Sequence, residues 1–131
     1  MARTEYSSGL SLEDRFGYSR AVAVGDTLYT SATAAVDASL SVVGDSAYDQ
    51  ATYALGKLQP ILTDAGFEYG DVVHVRVYTV DSADLEDIGR AIHDAFTPAR
   101  PALTVVHVEP YGLPGLRLEV ELIAHRAGQG A

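Results

Sequence analysis

The sequence predicts an α+β fold in which two helices lie on one face of a single mixed sheet. Three observations support this prediction. Several short segments show the apolar runs or alternation typical of strands. Two longer segments carry apolar residues at the three- and four-residue spacing of a helix. Along the chain these segments follow the order strand, strand, helix, strand, helix, strand, strand.

The first two strands are predicted to form a hairpin. Apolar runs at residues 18–24 and 28–33 are joined by Gly25 and Asp26, which are turn-forming residues. From residue 34 to 44 the pattern lapses into small residues with a turn at Asp37-Ala38-Ser39. We interpret this stretch as a loop with room for a short edge strand at residues 40–43.

The first long helix is predicted to begin after Asp45 or Ser46 and to end at Gly66. Pro60 lies inside it and removes one backbone hydrogen bond, so we expect a kink or a helix restart there. The residues on its apolar face are Ala47, Ala51, Ala54, Leu55, Leu58, Ile61, Leu62 and Ala65.

The second half of the chain alternates strands with one more helix. Residues 71–80 alternate as a strand that places Val73, Val75, Val77 and Thr79 on one face. A helix capped by Asp84 runs to residue 96, followed by strands at residues 102–108 and 116–125. The tail after residue 126 is small and polar, and we expect it to fray.

Length and composition limit the classes of function. A chain of 131 residues fits one domain, here residues 1–131, with one core. No run of about 20 apolar residues is present to span a membrane, and the start lacks an apolar signal core. The absence of cysteine suits a reducing cytoplasm, where we expect the protein to be located. A net charge of −9 argues against nucleic acid as a partner.

No metal or other cofactor is expected. The four histidines, His74, His93, His107 and His125, are scattered without the spacing that groups metal ligands. The sheet face opposite the helices is too apolar to remain exposed to water. A partner chain could therefore cover it.

Several short strings, spread over nearly the whole chain, are each weak signals but are specific together. They are Gly17-Tyr18-Ser19-Arg20-Ala21-Val22, Val24-Gly25-Asp26, Leu28-Tyr29-Thr30-Ser31, Ala65-Gly66, Asp71-Val72-Val73, Val77-Tyr78-Thr79-Val80-Asp81, Arg100-Pro101-Ala102 and Leu118-Glu119-Val120-Glu121-Leu122-Ile123-Ala124. With the order of the elements, these strings resemble the Rid family of reactive intermediate deaminases.

The resemblance implies a chorismate-mutase-like fold and a homotrimer with three sites between subunits. In each site an arginine at the start of the fourth strand holds the substrate carboxylate, and a glutamate in the last strand positions water. The implied activity is hydrolysis of small, reactive imines or enamines to ketones and ammonia. In this chain the glutamate corresponds to Glu119, an early tyrosine to Tyr18, and a small residue, usually glycine, to Ala32.

The family's arginine has two possible counterparts. Pro98-Ala99-Arg100 spells the usual motif, but it leaves about three residues too many before the paired valines of the strand. Aligning the strand itself puts Leu103 at the arginine position, and this is the alignment we favour. Leucine cannot replace an arginine that binds a carboxylate. We therefore expect a divergent member of the family with an altered, more apolar substrate.

Other residues are candidates for lining the substrate cleft. Tyr18 and Arg20 share one face of the first predicted strand, so Arg20 is either a substitute anion anchor or a surface arginine paired with an acid. Ser31 and Thr104 offer hydroxyl groups, without the arrangement of a Ser-His-Asp triad. His107 is either an acid or base of the cleft or a hydrogen-bonded structural histidine.

Glu119 is the candidate catalytic residue. Glu119 and Glu121 point to the same face of the last predicted strand, where we interpret Glu121 as part of a solvated or ion-paired surface. A carboxylate in a partly dry cleft has the raised basicity that general-base catalysis needs. The hypothesis is a cofactor-free hydrolase of an imine, enamine or related labile metabolite. The alternatives are a ligand-binding or chaperone-like trimer without catalysis and, less favoured, a ribonuclease.

Overall fold

The computed structural model of the chain describes residues 2–127. Its helices are α1 (Ser11–Phe16), α2 (Ala47–Asp64) and α3 (Leu85–Phe96), with short 3-10 turns at Tyr69–Asp71 and Ser82–Asp84. Its strands are β1 (Arg3–Tyr6), β2 (Ala21–Val24), β3 (Thr27–Thr30), β4 (Thr33–Ala34), β5 (Val72–Thr79), β6 (Ala102–His107) and β7 (Leu118–His125).

The strands form one mixed sheet in the order β1-β2-β3-β7-β5-β6, with β4 also paired to β7. The pair β5 and β6 is parallel, while the other pairs are antiparallel. Because α3 connects β5 to its parallel neighbour β6, it crosses over the sheet, as such connections require. The α+β fold with helices on one face is confirmed.

The core lies between the sheet and the two long helices. Strand β7 alternates strictly, so Val120 and Leu122 are buried under the helices while Glu119 and Glu121 occupy the opposite face. Helix α2 buries the stripe that its periodicity predicts, and α3 adds its own apolar side chains. The buried members of these helices include Ala51, Leu55, Leu58, Leu62, Ile88, Ala91, Ile92 and Phe96.

The sequence analysis missed two N-terminal elements, and it began the strand at residues 18–24, which corresponds to β2, three residues too early. Strand β1 pairs with β2, and α1 follows as a helix of only six residues. Neither segment has enough apolar residues to show a period, so only tertiary contacts define them. Gly17, with φ of 72°, ends α1, and the amide of Tyr18 donates to the Glu13 carbonyl, so β2 begins only at Ala21.

The regular elements differ from the sequence-based expectations at two places. Helix α2 continues through Pro60 to Asp64 as one helix, so the restart, one of the two expected outcomes, does not occur. Both Pro60 and Gly56, whose carbonyl loses its partner, face solvent, so water can replace the missing hydrogen bond. In β5 the pairing register shifts between Val72 and His74, so Val73 is 48% exposed instead of sharing the buried face.

The loop after β4 agrees with the sequence-based prediction except for the position of the short strand. The Asp37 carboxylate accepts from the amides of Ser39 and Ser41, which confirms the turn. The short edge strand is at Thr33–Ala34, earlier than predicted, while Val36 and Val42 form a single bridge.

Ser46, rather than Asp45, caps α2 by accepting from the amide of Asp49. Asp84 precedes α3 as predicted, but its carboxylate accepts from Arg117 instead of capping the helix. Strand β6 ends one residue before its predicted limit of 108, and β7 begins two residues after its predicted start at 116. The predicted fraying of the tail concerns residues that lie mostly outside the described range.

No helix within residues 2–127 is long and apolar enough to cross a membrane.

A buried ion pair ties α1 to the sheet. The Glu13 carboxylate is 3% exposed, and it accepts from the Ser7 hydroxyl at 2.8 Å and from the Ser8 amide and hydroxyl. It also accepts from Nε of Arg20 at 3.2 Å. Burial works to raise the pKa of Glu13, but the hydrogen bonds from Ser8, Ser7 and Arg20 outweigh it and hold the pKa below the usual 4.5.

The other end of Arg20 reaches β4. Its Nη1 donates to the Ala32 carbonyl at 2.9 Å and to the Thr33 hydroxyl at 3.1 Å. Its Nη2 donates to the Tyr18 hydroxyl at 3.1 Å, and the guanidinium lies 5.4 Å from the centre of the same ring. The pair Glu13–Arg20 therefore connects α1, the segment before β2 and the start of β4.

We expect Glu13→Gln to lower the free energy of unfolding by about 3 kcal/mol, because it leaves the Arg20 charge buried without a partner. Denaturant-induced unfolding at neutral pH measures this loss. Asp14→Asn, on the exposed side of the same helix, is the matched control and should change stability little. Equal stabilities for Glu13→Gln and Asp14→Asn would contradict the structural role of the pair.

The stabilising effect of Glu13 should also depend on pH. Its pKa is lower in the folded state than the usual 4.5, so its contribution is complete above 4.5 and is lost as the pH falls through the folded value. Unfolding curves between neutral and acid pH should therefore converge for wild type and Glu13→Gln. A difference that stays constant down to pH values well below 4.5 would show that the charge of Glu13 is not the cause.

Candidate functional site

A cavity of about 300 Å³ opens beside the pairing of β4 with β7. Its wall is mostly apolar, with four polar side chains, those of Tyr18, Arg20, Lys57 and Glu119. The apolar part of the wall consists of Leu10, Leu12, Ala32, Ala34, Val36, Leu40, Gly112, Leu113 and Leu116. A small organic molecule could be enclosed here with its polar groups directed to few, fixed partners.

Glu119 is placed at the cavity by the register of β7. It is paired with Ala34 of β4 on one side and with Tyr78 of β5 on the other. Because Leu118 and Val120 are buried in the core, Glu119 must lie on the face away from the helices. The sheet therefore fixes the backbone position of this carboxylate from both sides.

The environment of Glu119 makes it a stronger base than a solvated glutamate. Burial raises the pKa of Glu119, while neighbouring Tyr111 and the positive charges of Arg20 and Lys57 lower it, and the net shift is upward. Among the described residues, no cation lies within 4.0 Å of this carboxylate. Glu119 can therefore accept a proton from water more readily than a surface carboxylate.

Tyr111 is a neighbour of Glu119 that sequence reasoning did not single out. Burial, followed by the charge of Glu119, raises the pKa of the Tyr111 hydroxyl, which therefore stays protonated near neutral pH. It lies in the long turn between β6 and β7. No local pattern could have identified it, because only the folded turn brings this ring to β7.

Arg20 forms part of the cavity wall, but it is not the surface arginine that one interpretation assumed. Its side chain is buried, 4% exposed, and four of its five N–H groups donate to Glu13, Ala32, Thr33 and Tyr18. Its charge is neutralised by Glu13. These bonds make Arg20 a residue that fixes the wall and the position of the Tyr18 hydroxyl.

Lys57 was missed by the sequence analysis, although it is the only lysine in the chain. Its ammonium group donates to the carbonyl oxygens of Ala34 at 3.1 Å and Val36 at 2.7 Å. Burial, followed by the charge of Arg20, lowers the pKa of Lys57. The sequence did contain a signal for this residue, because Lys57 is the only lysine and directly precedes Leu58 of the apolar stripe of α2.

The remaining predicted site residues do not line this cavity. Leu103 and Arg100 line a separate groove of about 470 Å³ between β6 and α3. Arg100 lies before β6 and has a φ of 53°. Leu103 is the second residue of β6 and pairs with Val75 of β5. Within one chain, neither side chain reaches the cavity that contains Glu119.

Ser31, Thr104 and His107 each have a local partner. The Ser31 hydroxyl donates to the Ser19 carbonyl at 2.7 Å. The Thr104 hydroxyl lies 3.1 Å from Nε2 of His74, and Nε2 of His107 lies 3.2 Å from the Val80 carbonyl. Functional roles for these three residues remain predictions. Glu121 is ion-paired with Arg76 at 3.7 Å and accepts from the Tyr78 hydroxyl, in agreement with its interpretation as a surface acid.

Within residues 2–127, no three His, Cys, Asp or Glu side chains come together in a way that could hold a metal ion. A larger open groove of about 610 Å³ lies beside Arg117, but that guanidinium is paired with Asp84. The cavity beside Glu119 is thus the better candidate site, because it combines a base of raised pKa with apolar walls.

Known proteins resemble this chain over most of its length. An uncharacterized Streptomyces coelicolor protein, SCO2049, is 29% identical over 119 residues, which cover 91% of this chain and 89% of that protein. Protein mmf1, a mitochondrial protein of Schizosaccharomyces pombe, is 28% identical over 109 residues, covering 82% of this chain and 67% of that protein.

Solved structures show the same relationship. Rv2704 of Mycobacterium tuberculosis, described as a member of the YjgF/YER057c/UK114 family, superposes with a TM-score of 0.86 at 33% identity. The match covers 95% of this chain and all of the other. A putative endoribonuclease of Thermotoga maritima, TM0215, gives a TM-score of 0.83 at 27% identity and covers 98% of this chain and all of the other.

The model of the family described as Endoribonuclease L-PSP matches residues 10–126, from the segment before α1 to the end of the last strand. The chain therefore belongs to the endoribonuclease L-PSP family, which is the Rid family that its sequence resembles.

Proposed function

We propose that the protein is a hydrolase that converts a small imine or enamine to a carbonyl compound and ammonia. The observation that carries the proposal is Glu119, a carboxylate of raised pKa that is fixed by the sheet in a mostly apolar cavity. Membership of the L-PSP family is consistent with this class of reaction. Water and one base suffice for the chemistry, so no cofactor is required.

The reaction has a simple course in this cavity. Glu119 accepts a proton from a water molecule while the water oxygen bonds to the imine carbon, and the imine nitrogen takes up a proton from the solvent. An enamine enters the same course after its β-carbon takes up a proton from the solvent and its nitrogen loses one, which gives the imine. The resulting amino alcohol loses ammonia when its hydroxyl proton is removed and its nitrogen is protonated, which leaves the carbonyl product. The Tyr111 hydroxyl, which its raised pKa keeps protonated, neighbours Glu119 and favours the ionised form of this carboxylate.

The substrate is small and has a mostly apolar body. The volume of about 300 Å³ is at the lower end of the range for ligand cavities, roughly 300–1,000 Å³. In the alignment that we favour, Leu103 stands at the position of the family's arginine and provides no charge for a substrate carboxylate. The proposed substrate therefore differs from that of typical family members.

We also propose that the protein is located in the cytoplasm, which its lack of cysteine suits.

The working assembly is proposed to be a homotrimer. The edge strand β6 and its surroundings expose large apolar side chains that a neighbouring chain could cover, among them Leu103 (45%) and Val106 (37%). In a trimer of the kind the family resemblance implies, the groove with Leu103 of one copy would face the Glu119 cavity of the next. This arrangement would explain why the predicted site residues are divided between two places on one chain.

We expect the protein to have a native mass three times the 13.9 kDa of one chain. Light scattering coupled to size exclusion measures it directly. Val106→Asp places a charge on the exposed face of β6 and should shift the mass toward that of one chain. Asp14→Asn, far from this strand in sequence and exposed, is the control. A wild-type mass of one chain over a wide concentration range would exclude the shared cleft.

A rival proposal is a non-catalytic trimer that binds small ligands or acts as a chaperone. The feature in its favour is Leu103, which in the favoured alignment takes the place of the family's carboxylate-binding arginine. Binding of a small molecule in the Glu119 cavity without any turnover would favour this rival. Ribonuclease activity, which the family's description suggests, conflicts with the net charge of −9. RNA cleavage that persists through purification and stops with Glu119→Ala would restore it.

Glu119→Gln should reduce the rate of imine hydrolysis at least about a hundredfold, because the amide cannot accept the proton of water. The assay generates imines in place with an oxidase and measures release of ammonia above the buffer rate. Glu121→Gln, two residues away on the same face, is the matched control and should retain activity. Equal rates for wild type and Glu119→Gln, or no rate above buffer for any substrate, would contradict the proposal.

The rate of hydrolysis should fall on the acid side as Glu119 becomes protonated. Since burial raises its pKa above 4.5, the fall should be centred above pH 4.5, and activity should increase with pH through that value. The dependence of kcat/KM on pH measures the midpoint. A midpoint at or below 4.5 would show that a solvated carboxylate, and not Glu119, controls the rate.

A further inference from the structure

Leu40 has an unusual backbone conformation for a leucine. Its φ is 64°, in the left-handed region, where the Cβ of an L-residue comes too close to the following carbonyl oxygen. Among residues 2–127, Leu40 and Arg100 are the two residues other than glycine with a positive φ. Strain of this kind reduces the stability of a fold, and it occurs more often where a protein contacts its ligands.

Hydrogen bonds around Asp37 impose this conformation on Leu40. The Asp37 carboxylate accepts from the amides of Ser39 and Ser41, each at 3.0 Å. The Asp37 carbonyl accepts from the Leu40 amide at 3.0 Å, and the Asp37 amide donates to the Ser41 carbonyl at 3.0 Å. These four bonds lie within residues 37–41, so this short loop itself fixes the direction of the Leu40 Cα–Cβ bond.

The strained loop places Leu40 at the wall of the cavity that contains Glu119. The Leu40 side chain is 39% exposed and does not belong to the cluster of side chains that forms the core. Leu113, in the turn between β6 and β7, lines the same cavity and is 37% exposed. Two leucines on separate loops thus present apolar surface to the cavity, where a ligand could remove it from water.

One buried amide ties together the two segments that carry these leucines. Gln50 of α2 is 1% exposed, and its Nε2 donates to the carbonyl oxygens of Gly44 at 3.1 Å and Gly115 at 2.9 Å. Gly44 follows the loop of Leu40, and Gly115 follows the turn that carries Leu113. The apolar wall is therefore largely fixed by the chain itself, which reduces the entropy that is lost when a ligand binds.

We propose that Leu40 is a specificity-determining residue, which packs against the aliphatic chain of the substrate and favours long chains over short ones. The inference rests on the proposed function and specifies its substrate class, an aliphatic imine or enamine whose chain extends from the carbon beside Glu119 to Leu40. Apolar contact has no preferred direction, so Leu40 selects by the area that leaves water and not by a polar group. The apolar area that the substrate buries offsets the cost of the left-handed conformation.

The first test compares the binding of two neutral amides, propanamide and 4-methylpentanamide, in an NMR titration. Neither amide is an imine, so their binding does not depend on catalysis. Wild type should bind 4-methylpentanamide about thirtyfold more tightly, because its chain has three more carbon atoms to bury. Leu40→Gly should reduce this ratio about fivefold, whereas Leu85→Ala, at an exposed leucine outside this cavity, should leave it unchanged. Equal ratios for wild type and Leu40→Gly would overturn the proposal.

The second test asks whether the loop acts through the Leu40 side chain. Asp37→Ala removes the carboxylate that holds the loop and should lower the ratio of the two amide affinities when Leu40 is present. In the Leu40→Gly background the same substitution should change the ratio little, because no side chain remains to be positioned. An equal effect of Asp37→Ala in both backgrounds would overturn the proposal.

The third test separates this role from a structural one. Leu40→Asn should not lower the midpoint of thermal unfolding, because asparagine is tolerated in the left-handed region and relief of strain offsets the lost contacts. A fall of more than about 5 °C would show that Leu40 supports the core. A lower native mass of Leu40→Asn in light scattering would show that a neighbouring chain covers this residue. Either result would overturn the proposal.

Failure of this inference can be told apart from failure of the proposed function. Imines made in place from propylamine and from 4-methylpentylamine differ only in their aliphatic chains. If wild type hydrolyses both with equal kcat/KM and Glu119→Gln hydrolyses neither, Glu119 is the base and Leu40 does not select the substrate. If Leu40→Gly raises KM for the longer imine alone, with kcat little changed, the specificity role is supported.

Discussion

The alternation of side chains along β7 determines the positions of both the core and the cavity. This strand pairs with β3, β4 and β5, so its register is fixed from two sides. Val120 and Leu122 must be buried for the helices to pack, and Glu119 and Glu121 must then face the other way. A slip of one residue would bury both carboxylates and expose the apolar residues. The same constraint that builds the core therefore places the Glu119 carboxylate at the cavity.

Burial divides the charged residues near the cavity into two kinds. Glu13 and Arg20 neutralise each other, and their hydrogen bonds hold α1 and β4 together. Glu119 and Lys57 have no counter-charge within 4.0 Å among residues 2–127, and the pKa of each is displaced toward its neutral form. Groups held in this way reduce the stability of the fold, and they are found more often where a ligand or a reaction requires them.

The sequence was sufficient for the elements whose periodicity arises from the core. It also singled out Glu119 through its family motif, and the catalytic role of this residue stays a proposal. It could not indicate α1, because the decisive contact of Glu13 is with Arg20, a pairing that no local pattern reveals. Tyr111 was missed for the same reason, since it reaches Glu119 only through the folded chain. Lys57 stood out as the only lysine beside the apolar stripe of α2, but only the folded chain shows that it reaches the cavity. The exposure of Val73 depends on a bulge that apolar alternation cannot show.

The single lysine also affects how the protein can be handled. Reagents that attack primary amines usually modify many surface lysines, but here the only lysine side chain lies at the wall of the cavity. Its depressed pKa gives a larger neutral, reactive fraction near neutral pH than an ordinary lysine has. Attaching the protein to a surface by amine coupling could therefore block the very cavity whose ligands are being measured. The same chemistry, used sparingly, would report whether that cavity is open or filled.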